Sequence, residues 1–237
     1  MRLPPLHRGT LIRRYKRFLA DVRLQDGTEV IAHCPNPGSM KTCWEPGWEV
    51  LMTHHTDKKR KLKWTFEVAF DGQDHPILVN TARPNRIVEE AIVAGTIPSL
   101  SGYPDLRREV RYGREKSRID LLLEGAKGRC FVEVKSVTMA DTGAGAMFPD
   151  SVTARGTRHL RELMAQKAAG DRAVLFFLLS RGGRTHLRPA DEIDTVYGET
   201  LRQAIAAGVE VIAHRAIFSG GLVDYTITCG EAVPVRT

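Results

Sequence analysis

An aspartate, a glutamate and a lysine near the middle of the chain carry its strongest chemical signal. They are Asp120 in Ser117-Arg-Ile-Asp120, and Glu133 and Lys135 in Phe131-Val-Glu-Val-Lys-Ser-Val137. In an extended strand, side chains two apart share a face, so Glu133 and Lys135 point one way while Val132 and Val134 point the other. Asp120 falls in the neighbouring strand across a short turn, which predicts that its carboxylate lies beside Glu133. Two carboxylates and an ammonium among apolar strand residues are costly to bury unless they pair or hold an ion. Hard oxygen ligands converging at a strand end suit Mg2+ or Mn2+. An ion held by Asp120 and Glu133 would grip a phosphodiester oxygen and acidify its bound water. Lys135 would orient that water or neutralise the charge added at phosphorus. The competing reading of the same residues is a structural salt bridge between Lys135 and one carboxylate.

Two rhythms in the sequence supply the elements that must position this group. From Gly9 to about Thr81 the chain reads as short strands broken by turns, at Tyr15–Leu24, Glu29–His33, Trp48–Thr53, Leu62–Phe70 and Ile77–Asn80. Gln25-Asp-Gly-Thr28 is a hairpin signal, since Asp-Gly readily takes the positive φ of a tight turn. About five strands in so short a stretch predict a small closed barrel, an OB-fold or its SH3-like cousin. After Arg83-Pro84 strands alternate with helices, giving an α/β sheet. Helices are expected at Ile87–Ala94, Arg158–Lys167 and Asp191–Ala207, and strands at Ser117–Leu123, Cys130–Val137, Ala173–Leu179 and Val209–Ala213. The boundary divides the chain into an OB-like barrel over residues 1–82 and an α/β domain over 83–237, an α+β protein of two domains.

Composition points to a polyanionic partner. Lysine and arginine number 35 against 28 acidic residues, a net charge of +7, and neutralised phosphates release counterions on binding. Arg13, Arg14, Tyr15, Lys16 and Arg17 interleave cations with an aromatic ring, as surfaces that grip phosphates and stack bases do. If this run stays in one strand, Arg13, Tyr15 and Arg17 share a face. Lys58, Lys59, Arg60 and Lys61 form a denser run in an expected barrel loop, where OB-folds commonly touch nucleic acid. The four cysteines are scattered, with neither zinc spacing nor a disulfide framework, which suits a reducing cytoplasm. No apolar run is long enough to cross a bilayer as a helix, so no membrane partner is expected. Oligomeric state leaves no trace in the sequence.

The Asp120…Glu133-Val-Lys135 pattern resembles the PD-(D/E)XK nuclease superfamily. Nearly the whole chain resembles the sugar fermentation stimulation protein A family, on Leu11–Val22, His33-Cys-Pro-Asn-Pro-Gly38, Ser101-Gly-Tyr103, Ser117–Asp120, Val132–Thr138 and Phe148–Leu163. The resemblance implies an N-terminal OB-like domain and a C-terminal restriction-endonuclease-like domain. It also implies DNA binding without strong sequence preference and a regulatory link to sugar metabolism. Asp120, Glu133 and Lys135 fall on the superfamily's core. The resemblance adds a glutamate from the preceding helix, for which Glu89 and Glu90 both offer and the string Asn85-Arg86…Glu90-Ala-Ile92 favours Glu90. It adds a polar residue from a later helix, with Arg155, Arg158 and His159 as candidates. Arg118-Ile119 stands where the superfamily often has Pro before the first acid. Three readings stay open: a metal-dependent DNA nuclease, a non-catalytic DNA-binding regulator of sugar metabolism, and an RNA-processing phosphodiesterase.

Overall fold

The computed structural model describes residues 1–113 and 117–237. Six strands form the first sheet: β1 (Leu6–Tyr15), β2 (Leu19–Leu24), β3 (Glu29–His33), β4 (Glu49–His54), β5 (Trp64–Phe70) and β6 (Pro76–Leu78). Their order is β3-β2-β1-β4-β5-β6, and a parallel pairing of β3 with β5 through Ala32↔Trp64 and His33↔Thr65 closes the barrel. The Asp-Gly turn forms as expected between β2 and β3: Gly27 takes φ 86°, and Asp26 accepts the Thr28 N–H at 2.9 Å. Gly9 sits where a side chain would overlap Val22, so glycine there lets β1 lie close on β2. The barrel interior holds Leu11, Val22, Val50, Met52, Phe66 and Ala69, all buried.

One expected strand is two. The chain does not run extended from Tyr15 to Leu24; β1 ends at Tyr15, and Lys16 and Arg17 turn back with left-handed φ of 47° and 64°. Polar side chains tolerate this turn, and it breaks the alternation that would have set Arg17 beside Arg13 and Tyr15.

The second sheet runs β15-β14-β12-β9-β8-β7. Its strands are β7 (Asp105–Tyr112), β8 (Ser117–Gly125), β9 (Gly128–Val137), β12 (Arg172–Leu179), β14 (Glu210–Ser219) and β15 (Thr226–Val233). The helices are α1 (Pro84–Val93), α2 (Ala154–Ala168) and α3 (Thr195–Ala206). Short strands β10 (Met139–Ala140), β11 (Gly145–Phe148) and β13 (His186–Pro189) make a small side sheet. The central strands β9, β12 and β14 are parallel and covered on both faces, which explains why Ala173–Leu179 is apolar without alternation. Ile87 and Val88 of α1 pack on one face, against Val132, Val134 and Phe176. Leu160, Leu163 and Leu201 of α2 and α3 pack on the other, against Phe131, Leu175 and Phe177. Thr153 and Asp194 cap the two latter helices, accepting the backbone N–H of Gly156 and Tyr197.

The two sheets share a core. Leu51, Val68 and Leu78 of the barrel sit in the same apolar cluster as α1 and the second sheet. The first residues bridge across as well: Leu3 N–H donates to the Tyr225 carbonyl at 2.8 Å, and Ile227 N–H to the Met1 carbonyl at 2.9 Å.

Candidate active site

The ladder between β8 and β9 runs from Gly125↔Gly128 to Leu121↔Val132 and then stops. One step further the same register sets Asp120 opposite Glu133. There the side chain replaces the backbone ladder: Asp120 Oδ2 accepts the Val134 N–H at 2.8 Å. Asp120 Oδ1 accepts from Asn85 Nδ2 of α1, also at 2.8 Å. The neighbouring β7 is irregular at this level. Glu109 takes a left-handed φ of 53°, and the pairing passes from Arg108↔Leu121 to Val110↔Ile119. Ile119 and Leu121 therefore pack in opposite cores although they are two apart. A strand that turns over at Asp120 frees its carboxylate from the alternation and leaves it where β8 parts from β9.

Glu133 is 2% exposed and faces α2. Its Oε1 accepts from Lys135 Nζ at 2.6 Å and meets His159 Nδ1 in a short hydrogen bond. Arg155 Nε donates to His159 Nε2 at 3.3 Å, which leaves the ring proton on Nδ1, toward Glu133. Glu133 Oε2 is buried and without a partner among the described residues, as are the hydroxyls of Tyr112 and Tyr197. Burial raises the Asp120 carboxyl to about 6, helped by the nearby charge of Glu133. Burial pushes Glu133 the same way, but the His159 hydrogen bond and the Lys135 charge outweigh it and hold Glu133 below its ordinary value. Burial, then the charges of Glu133, Glu162 and Asp120, drives the Tyr112 phenol upward. Two carboxylates thus share a low-dielectric site with one ammonium, which is bound to Glu133.

A buried carboxylate in the barrel fixes α1 against this group. Glu67 of β5 is fully buried and accepts from Thr53 Oγ1 at 3.0 Å, Asn80 Nδ2 at 2.8 Å and Arg83 Nη2 at 2.7 Å. Arg83 immediately precedes α1, whose first turn carries Asn85. The second carboxylate on the Asn85 face is Glu89, one helical turn on, which pairs with Arg108 at 2.7 Å and lines the same cavity as Asp120. Glu90 is a correction. It faces the other way, bound to the Met1 ammonium at 2.9 Å and to Arg86 at 3.0 Å. Adjacent helical positions differ by about 100°, so Glu89 and Glu90 cannot both face the cavity.

The expected DNA-contacting residues divide. Lys58, Lys59 and Lys61 are exposed in the loop between β4 and β5, while Arg60 bends back to Thr65 Oγ1 at 3.1 Å. Arg13 lies over the Tyr15 ring at 4.8 Å and pairs with Asp21 at 2.7 Å; Tyr15 also donates to Asp21, at 3.0 Å. Arg14 turns inward to the carbonyls of Arg17 and Asn36 at 2.7 and 3.0 Å, holding the turn rather than facing solvent. Lys16 and Arg17 are exposed on that turn. On α2, Arg155 is exposed and Arg158 half-buried. His159 is 3% exposed, so it is a buried partner of Glu133 and not a surface contact.

Reasoning from sequence missed Asn85, Glu67 and the two tyrosines. Glu67 carried a legible signal, a lone acid between Phe66 and Val68 in an apolar strand. Asn85 enters the sequence pattern only as part of the string Asn85-Arg86…Glu90.

Comparison with known proteins gives the chain as a whole a lineage. The model of the sugar fermentation stimulation protein RE domain matches residues 82–221, and that of the SfsA N-terminal OB domain matches 12–79. A sugar fermentation stimulation protein homolog of Geobacter metallireducens is 56% identical over 92% of this chain and 93% of its own. One from Shewanella loihica is 49% identical over 96% and 97%. Among solved structures, Pyrococcus furiosus SfsA in complex with Ca2+ superposes with a TM-score of 0.88 at 28% identity, covering 100% of this chain and 98% of that one.

Proposed function

The chain belongs to the sugar fermentation stimulation protein family, and from that footing we propose that it binds DNA and carries a divalent-metal-dependent phosphodiesterase site in its C-terminal domain. The observation that carries this reading is the pairing of Asp120 with Glu133, whose Oε2 is buried with no partner among the described residues. An orphaned carboxylate oxygen next to a second, destabilised carboxylate is a donor set that a hard cation fits. The related Pyrococcus furiosus structure is described as a complex with Ca2+. Mg2+ or Mn2+ is proposed as the working ion, with Asp120 and Glu133 as its protein ligands. Among the described residues no group of three or more acids, histidines or cysteines forms a metal cage, so an ion held by these two acids would complete its shell with water. Such an ion would supply Lewis acidity and lower the pKa of a bound water.

The chain's own residues do the rest. Asn85 and the Val134 N–H hold Asp120 in one rotamer. His159, itself braced by Arg155, fixes Glu133. Lys135 places a positive charge beside the acids, where the negative charge of a five-coordinate phosphorus would develop. The exposed Lys58, Lys59 and Lys61 would grip backbone phosphates, which gives binding without strong sequence preference.

One observation favours the non-catalytic regulator instead: Lys135 and His159 already satisfy Glu133 Oε1, as a structural salt bridge would. Labelled single- and double-stranded DNA and RNA, incubated with Mg2+, Mn2+ or EDTA, separate the readings. Metal-dependent DNA cleavage that falls at least a hundredfold in Glu133→Gln is expected. DNA binding with no cleavage under any metal would establish the regulator reading, and RNA cleavage alone would redirect the substrate.

A further inference from the structure

A second cavity, of about 170 Å3, opens between the barrel and the C-terminal domain. It borders the acid site directly, because Thr81 is a wall of both this cavity and the one that Asp120 lines. Strand β9 links them too: it carries Glu133 and Lys135, and its next residue, Ser136, lines the second cavity together with Thr138. The remaining character of the walls is unusual for a protein with this charge. Met139, Met147 and Phe148 make them apolar, Asp150 supplies a carboxylate, and no lysine or arginine is among the described walls, the guanidiniums of Arg14 and Arg181 being spent on the carbonyls of Asn36 and Thr138 behind them. Asp150 is held in place, since its Oδ2 accepts from Ser39 Oγ at 2.8 Å and from the Ser39 N–H at 3.1 Å. Among the described residues its Oδ1 has only a 3.4 Å contact, from its neighbour Ser151. Gly38 completes the wall, where a Cβ would stand 3.0 Å from both Asn36 Oδ1 and Asp150 Oδ2.

We propose that this cavity receives one unstacked nucleobase of the strand whose phosphate sits at Asp120 and Glu133, with the base's N–H edge toward Asp150. The inference rests on the nucleic-acid reading given above. A cavity with a carboxylate and no cation repels phosphate, so along a polyanionic strand only the uncharged heterocycle fits it. Its volume is below the roughly 300 Å3 at which sites for larger ligands begin, which limits it to one ring system. Apolar and aromatic walls with a few polar groups at the edge are how extruded bases are held. Asp150 Oδ1, the oxygen that Ser39 leaves open, can accept from the N–H edge of a base such as guanine.

The test uses the full chain with 13C-labelled methionine methyls. Of the six methionines, Met139 and Met147 report on the cavity, Met40 adjoins Ser39 and is set aside, and Met1, Met52 and Met164 lie outside its walls as references. Guanosine should shift the first pair and leave the other three, while ribose 5-phosphate should shift none. Thr138→Phe, which fills the cavity, and Asp150→Asn should each weaken guanosine at least tenfold, with the reference methyls unchanged as proof of folding. A parallel titration in Ca2+ compares single-stranded DNA with the same strand carrying abasic positions, expected to bind roughly tenfold more weakly. If guanosine moves neither methyl, or Thr138→Phe binds it as before, the proposal is overturned. DNA binding indifferent to abasic positions overturns the base pocket while the DNA reading stands. Guanosine binding without DNA affinity upholds the pocket and removes the DNA reading.

Discussion

Replacing Asp120 with asparagine should stabilise the metal-free protein at neutral pH while abolishing its response to metal. The folded state raises this carboxyl from 3.8 to about 6. Between those values the folded protein holds a proton that the unfolded chain releases, so stability falls as pH rises through the window and the loss is complete above it. The displacement corresponds to about 3 kcal/mol. Asparagine removes the charge but offers a single acceptor oxygen, so it keeps only one of the bonds from Asn85 and the Val134 N–H. Losing the other costs about 1–2 kcal/mol. The variant should therefore gain about 1–2 kcal/mol at pH 7.5 and lose about 1 kcal/mol at pH 4, where the wild-type carboxyl is already protonated. Urea denaturation in EDTA at both pH values measures this. Fluorescence of Trp44, Trp48 and Trp64 follows the barrel, against whose core all three pack, and far-ultraviolet circular dichroism follows the whole chain. Added Ca2+ should then raise the wild type alone and invert the order at pH 7.5. A variant that is less stable at both pH values would refute the reasoning, because Asp120 would then be a satisfied carboxylate without like-charge strain.

Three further outcomes follow from the same geometry. Lys135→Met should lose about 2–3 kcal/mol in EDTA, less than a fully broken buried pair because His159 still donates to Glu133; Ca2+ at a hundred times its Kd should return about 2.7 kcal/mol, read as a shifted melting curve. Glu67→Ala should cost about 3–5 kcal/mol by stranding the Arg83 charge, and at temperatures where it stays folded its Ca2+ affinity should fall, measured by calorimetry. Replacing Lys58, Lys59 and Lys61 with alanine should weaken all DNA sequences alike and flatten the slope of log K against log salt by about 2–3 in total, so an unchanged slope would move the DNA surface elsewhere.

The barrel was legible because its turns are chemical. Asp26-Gly27 specifies a tight turn by its backbone preferences alone, and the strands on either side follow. The turn at Lys16-Arg17 was hidden for the opposite reason. Neither residue is a turn former, and the left-handed φ is held from outside, by Arg14 gripping the Arg17 carbonyl. Strand β7 escaped notice because it is an edge strand whose Arg107, Arg108, Glu109 and Arg111 read as a solvated run. In the site, the alternation of Val132, Glu133, Val134 and Lys135 survives intact since β9 is a regular central strand. Helix α1 gave less, because its phase depends on where it starts. Pro84 opens it, which turns Asn85 and Glu89 toward Asp120 and leaves Glu90 to the N-terminal ammonium. A rotation of 100° separates the two glutamates, finer than sequence periodicity over so short a helix resolves.

The seam between the domains explains why a barrel and an acid site occur in one chain. Thr53 and Glu67 belong to the barrel, Arg83 and Asn85 to the junction, and Asp120 to the second sheet; hydrogen bonds join Thr53 to Glu67, Glu67 to Arg83 and Asn85 to Asp120, and the backbone at the start of α1 joins Arg83 to Asn85. Across the same seam Arg181 reaches Asp71 at 2.7 Å and the Thr42 carbonyl at 2.6 Å, both in the barrel domain. Ser39 of the barrel side fixes Asp150 of the other. The Glu67 and Arg181–Asp71 contacts join charged groups with little exposure, where the surrounding protein screens weakly and geometry is enforced. A strand gripped by the loop at Lys58–Lys61 would thus meet Asp120 and Glu133 at a separation fixed by packing rather than by a flexible linker.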